Sequence, residues 1–220
     1  MKARSRLLLR RYVFLAAIGV LVAVLTACTG RGGGYLPPGP SVGTAQVPLV
    51  FPDAVFSGQA SFGFDFSCER SSRSTSPNPP TGQLRIQLAY TDHGTSLLLG
   101  APFSIHGIVD KIDPVLESQI CIGQNPPPEN IPLIFLGRYR PTTSPPAGFP
   151  QTCPSRETKT TPLCRFEVIV QDNDGNLAPS KGDFFSIKLS NATAVTSVLD
   201  PATVFYARAG YLEGGNLTVK

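Results

Sequence analysis

The sequence predicts an all-β fold, a single antiparallel β-sandwich or flattened barrel of about 7–9 strands with long loops. Three observations carry this. Apolar residues recur at every second position in several stretches, the period of a half-buried strand. Those stretches are rich in Phe, Val, Ile and Leu and are separated by Pro, Gly, Asn and Asp. With 21 Gly and 22 Pro in 220 residues, turn signals are dense, yet below the level of a wholly disordered chain. The 13 Phe can fill a core, and no amphipathic helix of useful length follows residue 28.

The chain begins with Lys2, Arg4, Arg6, Arg10 and Arg11, then an apolar run from Leu15 to Leu25, then Leu25-Thr26-Ala27-Cys28. A basic start, a short apolar run and small residues at the cut are the layout of a signal peptide. The run is shorter than the roughly 20 residues a membrane-crossing helix needs. The last four residues resemble the bacterial lipobox, whose cysteine is acylated and becomes the mature N-terminus. The resemblance implies a signal peptide over 1–27 and a lipoprotein anchored through Cys28 by acyl chains such as palmitate. Two or more chains hold stably, since each buried CH₂ contributes about 0.8 kcal/mol. Arg10-Arg11 hints at twin-arginine export, but Leu9 stands where that motif has Ser or Thr, so general secretion is expected.

Residues 28–46, rich in Gly and Pro, show no periodicity. They are expected to be a lipidated cysteine and a flexible tether with a reach of about 25 Å. The folded domain is expected over 47–220. Strand signals begin at Val47 and become clear over 57–68, where Phe62, Phe64 and Phe66 alternate with Gly63, Asp65 and Ser67. Cys68 continues the Phe face. A Ser- and Pro-rich loop, 69–81, leads to Gly82–Asp92, with Leu84, Ile86, Leu88 and Tyr90 on one face. Phe103–Ile112 and Ile131–Tyr139 follow, joined by the connection 113–130. The insertion 140–162 leads to Cys164, Phe166, Val168 and Val170, alternating again. Phe185, Ile187 and Leu189, then Val204–Tyr206 and Tyr211–Val219, complete the strands.

Removing residues 1–27 takes five of the 19 Lys and Arg and no acidic residue. The mature part keeps 14 basic against 15 acidic residues, −1 in net charge. No basic cluster remains to follow a phosphate backbone, so nucleic acid is not an expected partner. An oxidising compartment would pair the four cysteines left after Cys28. If the strands run up and down in sequence, Cys68 pairs with Cys121 and Cys153 with Cys164. Cys68–Cys164 is the alternative. No C-x-x-C pair suggests a metal site.

Asp172, Asp174 and Asn176 offer oxygens at alternate positions, with Asp183 where a twelfth-position calcium ligand would stand. Leu177 holds the glycine position of an EF-hand, and strands flank the loop. A plain Asx-Gly turn is the competing reading. No other cofactor is suggested. His93, in an Asp-His-Gly turn, and His106, in a strand, have no nucleophile motif beside them; they read as turn and packing residues, and the chain as a non-enzyme. Asn191-Ala192-Thr193 and Asn216-Leu217-Thr218 match the glycosylation pattern, which carries no weight in a bacterial lipoprotein.

Several fragments fall in a familiar order: Phe62-Gly63-Phe64, Pro80-Thr81-Gly82-Gln83-Leu84, Ile105-His106-Gly107, Phe166-Glu167-Val168, Gly182-Asp183-Phe184-Phe185-Ser186-Ile187-Lys188-Leu189 and Gly214-Gly215-Asn216-Leu217-Thr218-Val219-Lys220. Over roughly residues 57–220 they resemble the post-COAP domain, a small bacterial surface module. That resemblance implies a β-sandwich accessory module with no catalytic residues to carry over. The cysteines and the insertions 113–130 and 140–162 depart from it, and those insertions are where a partner is expected to bind. The expected protein is a lipid-anchored module on the outer side of a cell membrane, binding a protein or an envelope glycan. Its alternatives are a structural module without ligand and a hydrolase. A glycan binder would need an exposed aromatic platform, with Tyr35, Tyr139, Tyr206 and Tyr211 as candidates.

Overall fold

A computed structural model describes residues 29–70, 82–96, 98–108, 132–142, 145–158, 161–173, 182–194 and 199–219. The strands are β1 (Thr29–Leu36), β2 (Gly39–Pro40), β3 (Val55–Phe56), β4 (Ala60–Arg70), β5 (Gly82–Asp92), β6 (Phe103–Ile108), β7 (Leu133–Pro141), β8 (Cys164–Gln171), β9 (Phe184–Ser190), β10 (Val204–Tyr211) and β11 (Gly214–Val219). Nine of them form one antiparallel sheet in the order β10-β9-β8-β7-β6-β5-β4-β1-β11; β2 and β3 pair separately. The run from β4 to β10 is an up-and-down meander, the condition under which Cys153 is expected to pair with Cys164.

The sheet curls into a half-barrel, and its concave face is filled with rings. Phe62 of β4 stacks on Phe185 of β9, centroids 3.6 Å apart. Phe64 and Phe66 meet Phe135 of β7. Tyr90 of β5 and Phe103 of β6 meet Tyr206 of β10 edge-on. One half of the sheet thus packs on the other, and ring pairs each add about 0.5–1.5 kcal/mol beyond burial.

Residues 29–36, expected to belong to a tether, are a strand inside the sheet. β1 pairs with β4, from Thr29↔Ser67 to Leu36↔Ala60, and with β11, from Gly30↔Val219 to Tyr35↔Gly214. The glycines have a packing reason. A methyl built at Gly30 would lie 2.6 Å from Leu133 Cδ2, and one at Gly32 would lie 2.4 Å from Asn216 O. At Gly30, Gly32 and Gly34 β1 leaves its inner face empty because the Leu133 side chain and the β11 backbone already fill that space. With glycine at four of its eight positions, the strand shows no alternation to read.

Residues 41–51 are not a strand that joins the sheet. They cross its convex face, where Val47, Leu49, Val50 and Phe51 cover Leu136, Ile169, Phe184, Val204 and Ala209. Leu136, Ile169 and Ala209, outward on their strands, are buried for that reason. Among the described residues, none covers the convex face of β1, β4, β5 and β6 in this way, and Arg31, Asp65, Arg85, Gln87 and Ala89 on it are exposed.

Candidate functional site

The half-barrel has two ends. Thr29, Ser67, Arg85, Leu133, Val170 and Val219 lie at one, which we call the Cys28 end, because Thr29 emerges there. Leu36, Ala60, Asp92, Phe103 and Pro141 lie toward the other.

A polar cluster is buried at the far end. Strand parity explains it: Asp92 continues the inward face of Ile86, Leu88 and Tyr90, and Arg208 follows Tyr206 on the inward face of β10. Asp92 Oδ1 accepts from Arg208 Nη1 at 3.0 Å and from Gly94 N at 3.0 Å. Its Oδ2 accepts from Tyr206 OH at 2.5 Å. Tyr90 OH lies 2.6 Å from Tyr206 OH; with the Tyr206 hydroxyl donating to Asp92, Tyr90 donates to Tyr206. Arg208 Nη2 donates to Pro37 O and Gly58 O at 2.8 and 2.7 Å, and its guanidinium sits 4.4 Å over the Phe56 ring. Asp92 and Arg208 are each 2% exposed.

Burial, then the neighbouring Asp92 charge, pushes the Tyr90 phenol far above its usual value. Burial, then Tyr90 and Asp92, pushes Tyr206 up as well. Both rings stay protonated, as hydrogen-bond donors. Buried and with hydrogen-bond partners within the protein, the cluster acts as a latch between the β1–β4 connection, β5 and β10.

The proposed calcium ligands do another job where the structure describes them. Asp183 Oδ1 accepts from Asn173 N at 2.9 Å and Oδ2 from Leu217 N at 2.7 Å. Asp172 Oδ2 accepts from Val219 N at 3.2 Å. Leu217 and Val219 are alternate residues of β11, which no described strand covers on its outer edge. The two carboxylates cap amides that an edge strand would leave open. Asp174 and Asn176 lie outside the described residues. Among the described residues, no group of three or more His, Cys, Asp or Glu is arranged to hold a metal.

Cys153 and Cys164 form a disulfide, Cα atoms 5.2 Å apart, which excludes the Cys68–Cys164 alternative. Beside it, buried Tyr139 donates to Ser190 O at 3.1 Å. Cys28, Cys121 and the Cys68 side chain lie outside what is described. So does the 113–130 connection. Of the 140–162 insertion, residues 145–158 are held by the disulfide and by Phe149, which packs against Phe103, Tyr139 and Phe205.

The aromatic platform fails at two positions: Tyr139 and Tyr206 are fully buried, because both lie on inward-facing strand positions. Tyr35 and Tyr211 are half-buried, and Tyr211 packs edge-on against Phe184. His93 is exposed and its Nε2 lies 2.9 Å from Ser61 Oγ. His106 stands on the convex face between Ala89 and Arg140.

A second charge group lies on the convex side. Lys188 pairs with Glu167 at 2.6 Å and Arg138 with Glu157 at 2.8 Å. Arg165, fully buried and directly across from Arg138, donates to Ala194 O at 3.1 Å. A shallow cleft between Pro48–Phe51 and β9–β10 has Lys188 and Arg208 in its wall.

The reading of the sequence singled out neither Arg208 nor Arg165. The available signal was a cation inside an otherwise apolar or small-residue strand, as in Tyr206-Ala207-Arg208-Ala209. No family model matches the chain, nor does any curated protein or solved structure.

Proposed function

We propose that the chain is an exported lipoprotein, anchored through Cys28, whose β-domain is a non-catalytic binding or accessory module of the cell envelope. One observation carries this reading: a lipobox-like Leu25-Thr26-Ala27-Cys28 precedes a domain with an oxidised cysteine pair, Cys153–Cys164. Disulfides persist outside the reducing cytosol, so the two features agree on the compartment. The resemblance to the post-COAP surface module leads the same way.

The charged groups support a non-catalytic role. Asp92, Asp183 and Arg208 are engaged by backbone and side chains that hold strands together. The partner, a protein or an envelope glycan, would meet the convex face of β1, β4, β5 and β6, which no described residue covers. That face offers Arg31, Asp65, Gln87 and half-exposed Tyr35.

The test is mass spectrometry of the N-terminal peptide from membranes of wild-type and Cys28→Ala cells. The expected result is a diacylglycerol-modified Cys28, with the variant released into the medium. An unmodified N-terminus in wild-type membranes overturns the reading.

A further inference from the structure

We propose that the Cys28 end of the half-barrel is a membrane-apposed face, held against the lipid in one orientation because no tether separates the anchor from the sheet. This rests on the lipoprotein reading above and deepens it. The expected linker would have let the domain tumble within about 25 Å of the surface. The structure has Thr29 already paired with Ser67, and Gly30 paired on both sides, with Phe66 and Val219. Consecutive Cα atoms are about 3.8 Å apart, so a lipid on Cys28 is one residue from a strand that cannot swing without breaking two ladders.

The same end carries a side chain suited to an interface. A methyl built at Gly30 would lie 2.6 Å from Leu133 Cδ2, so the start of β7 is level with the start of β1. The next residue, Ile134, points outward and is 42% exposed. Val55, 53% exposed, lies at the other end, beyond Leu36. β1 rises seven steps from Thr29 to Leu36, about 23 Å of strand. A domain standing on its Cys28 end therefore brings Ile134 to the headgroup region and holds Val55 well clear of it. The described part of the 140–162 insertion would face away from the membrane.

The chain contains no Trp, so a single introduced indole is an unambiguous reporter. Lipidated full-length Ile134→Trp and Val55→Trp proteins are purified from membranes. They are reconstituted into phosphatidylethanolamine–phosphatidylglycerol vesicles containing a phospholipid brominated near the headgroup. The expected result is a blue-shifted Ile134→Trp emission quenched by about twofold, as for a group lying about 5–10 Å into the interface, with Val55→Trp unquenched. Ser67→Trp, beside Thr29, is a second reporter at the same end and should follow Ile134→Trp.

Equal quenching at both ends, with Cys28 shown by mass spectrometry to carry lipid, overturns this proposal and leaves the lipoprotein reading standing. An unmodified Cys28 overturns both. Inserting a Gly-Ser linker of about 16 residues between Cys28 and Thr29, with a reach of about 22 Å, should abolish the contrast. A contrast that survives the insertion overturns the assignment to the short span.

Discussion

The latch at Asp92 lends itself to a quantitative test by Asp92→Ala. The substitution removes the acceptor for Arg208 Nη1, Tyr206 OH and Gly94 N at once. It leaves a guanidinium that is 2% exposed with only Pro37 O, Gly58 O and the Phe56 ring for company. Breaking a buried pair by removing one partner costs about 3–5 kcal/mol. With a urea dependence of about 2 kcal/mol per molar, the unfolding midpoint should fall by about 1.5–2.5 M. The assay is urea unfolding of residues 28–220 carrying Cys28→Ala, disulfide intact. Replacing both charges with apolar groups of similar size, Asp92→Leu with Arg208→Met, removes the stranded charge. The double variant should be more stable than Asp92→Ala, since buried pairs are often replaceable in this way. A single-variant loss below about 1 kcal/mol, typical of an exposed pair, would refute the latch.

Four further outcomes are expected. Gly32→Ala, whose methyl would meet Asn216 O and Leu217 Cα at 2.4 and 2.9 Å, should destabilise by about 1–3 kcal/mol through overpacking. Gly63→Ala, with its nearest neighbour at 3.9 Å, should be close to neutral; were 29–36 a tether, Gly32→Ala would be silent too. Tyr90, Tyr139 and Tyr206 have raised pKa values in the fold, chiefly through burial, and ionise near 10 when unfolded. Their stabilisation is fully present below about pH 10 and falls above it by up to about 1.4 kcal/mol per pH unit for each ring. Urea midpoints that stay flat from pH 9 to about pH 11 would contradict this alkaline loss. Reducing Cys153–Cys164, which closes a loop of sequence separation 11, should lower stability by about 3 kcal/mol. Non-reducing peptide mapping should recover that pair, together with Cys68–Cys121. Asp183→Ala should cost about 1–3 kcal/mol by stranding buried amides, and by the same amount in EDTA as in excess calcium; a cost that appears only with calcium would restore the metal reading.

Alternation made the meander legible. Gly82–Asp92 is bounded by the same residues in sequence and structure, and Phe62, Phe64 and Phe66 face inward as their spacing requires. The fold class followed, because such strands separated by turn signals have few ways to bury one face. β1 was invisible for a physical reason: Gly30, Gly32, Gly33 and Gly34 leave no pattern, and their spacing records the size of the neighbours. Asp172 and Asp183 were legible as a carboxylate cluster, not as edge caps, since their partners Leu217 and Val219 are distant in the chain. Asp92 and Arg208 share a strand-parity signal, but their pairing spans 116 positions and only the topology brings them together.

The pairing of Gly30 with Val219 also sets a schedule. The sheet's first strand rests against its last, so β1 has nothing on one side until β11 has arrived. In a chain made from its N-terminus, the start waits through the synthesis of everything between. Closing so distant a contact late is intrinsically slow, because the entropy of the intervening loop must be given up first. A ribosome stalled before Gly214 would present β1 with a bare edge, the kind that recruits other chains. Deleting the final strand should therefore show itself less as a weakened domain than as a failure of biogenesis: self-association and proteolysis before the sheet can close.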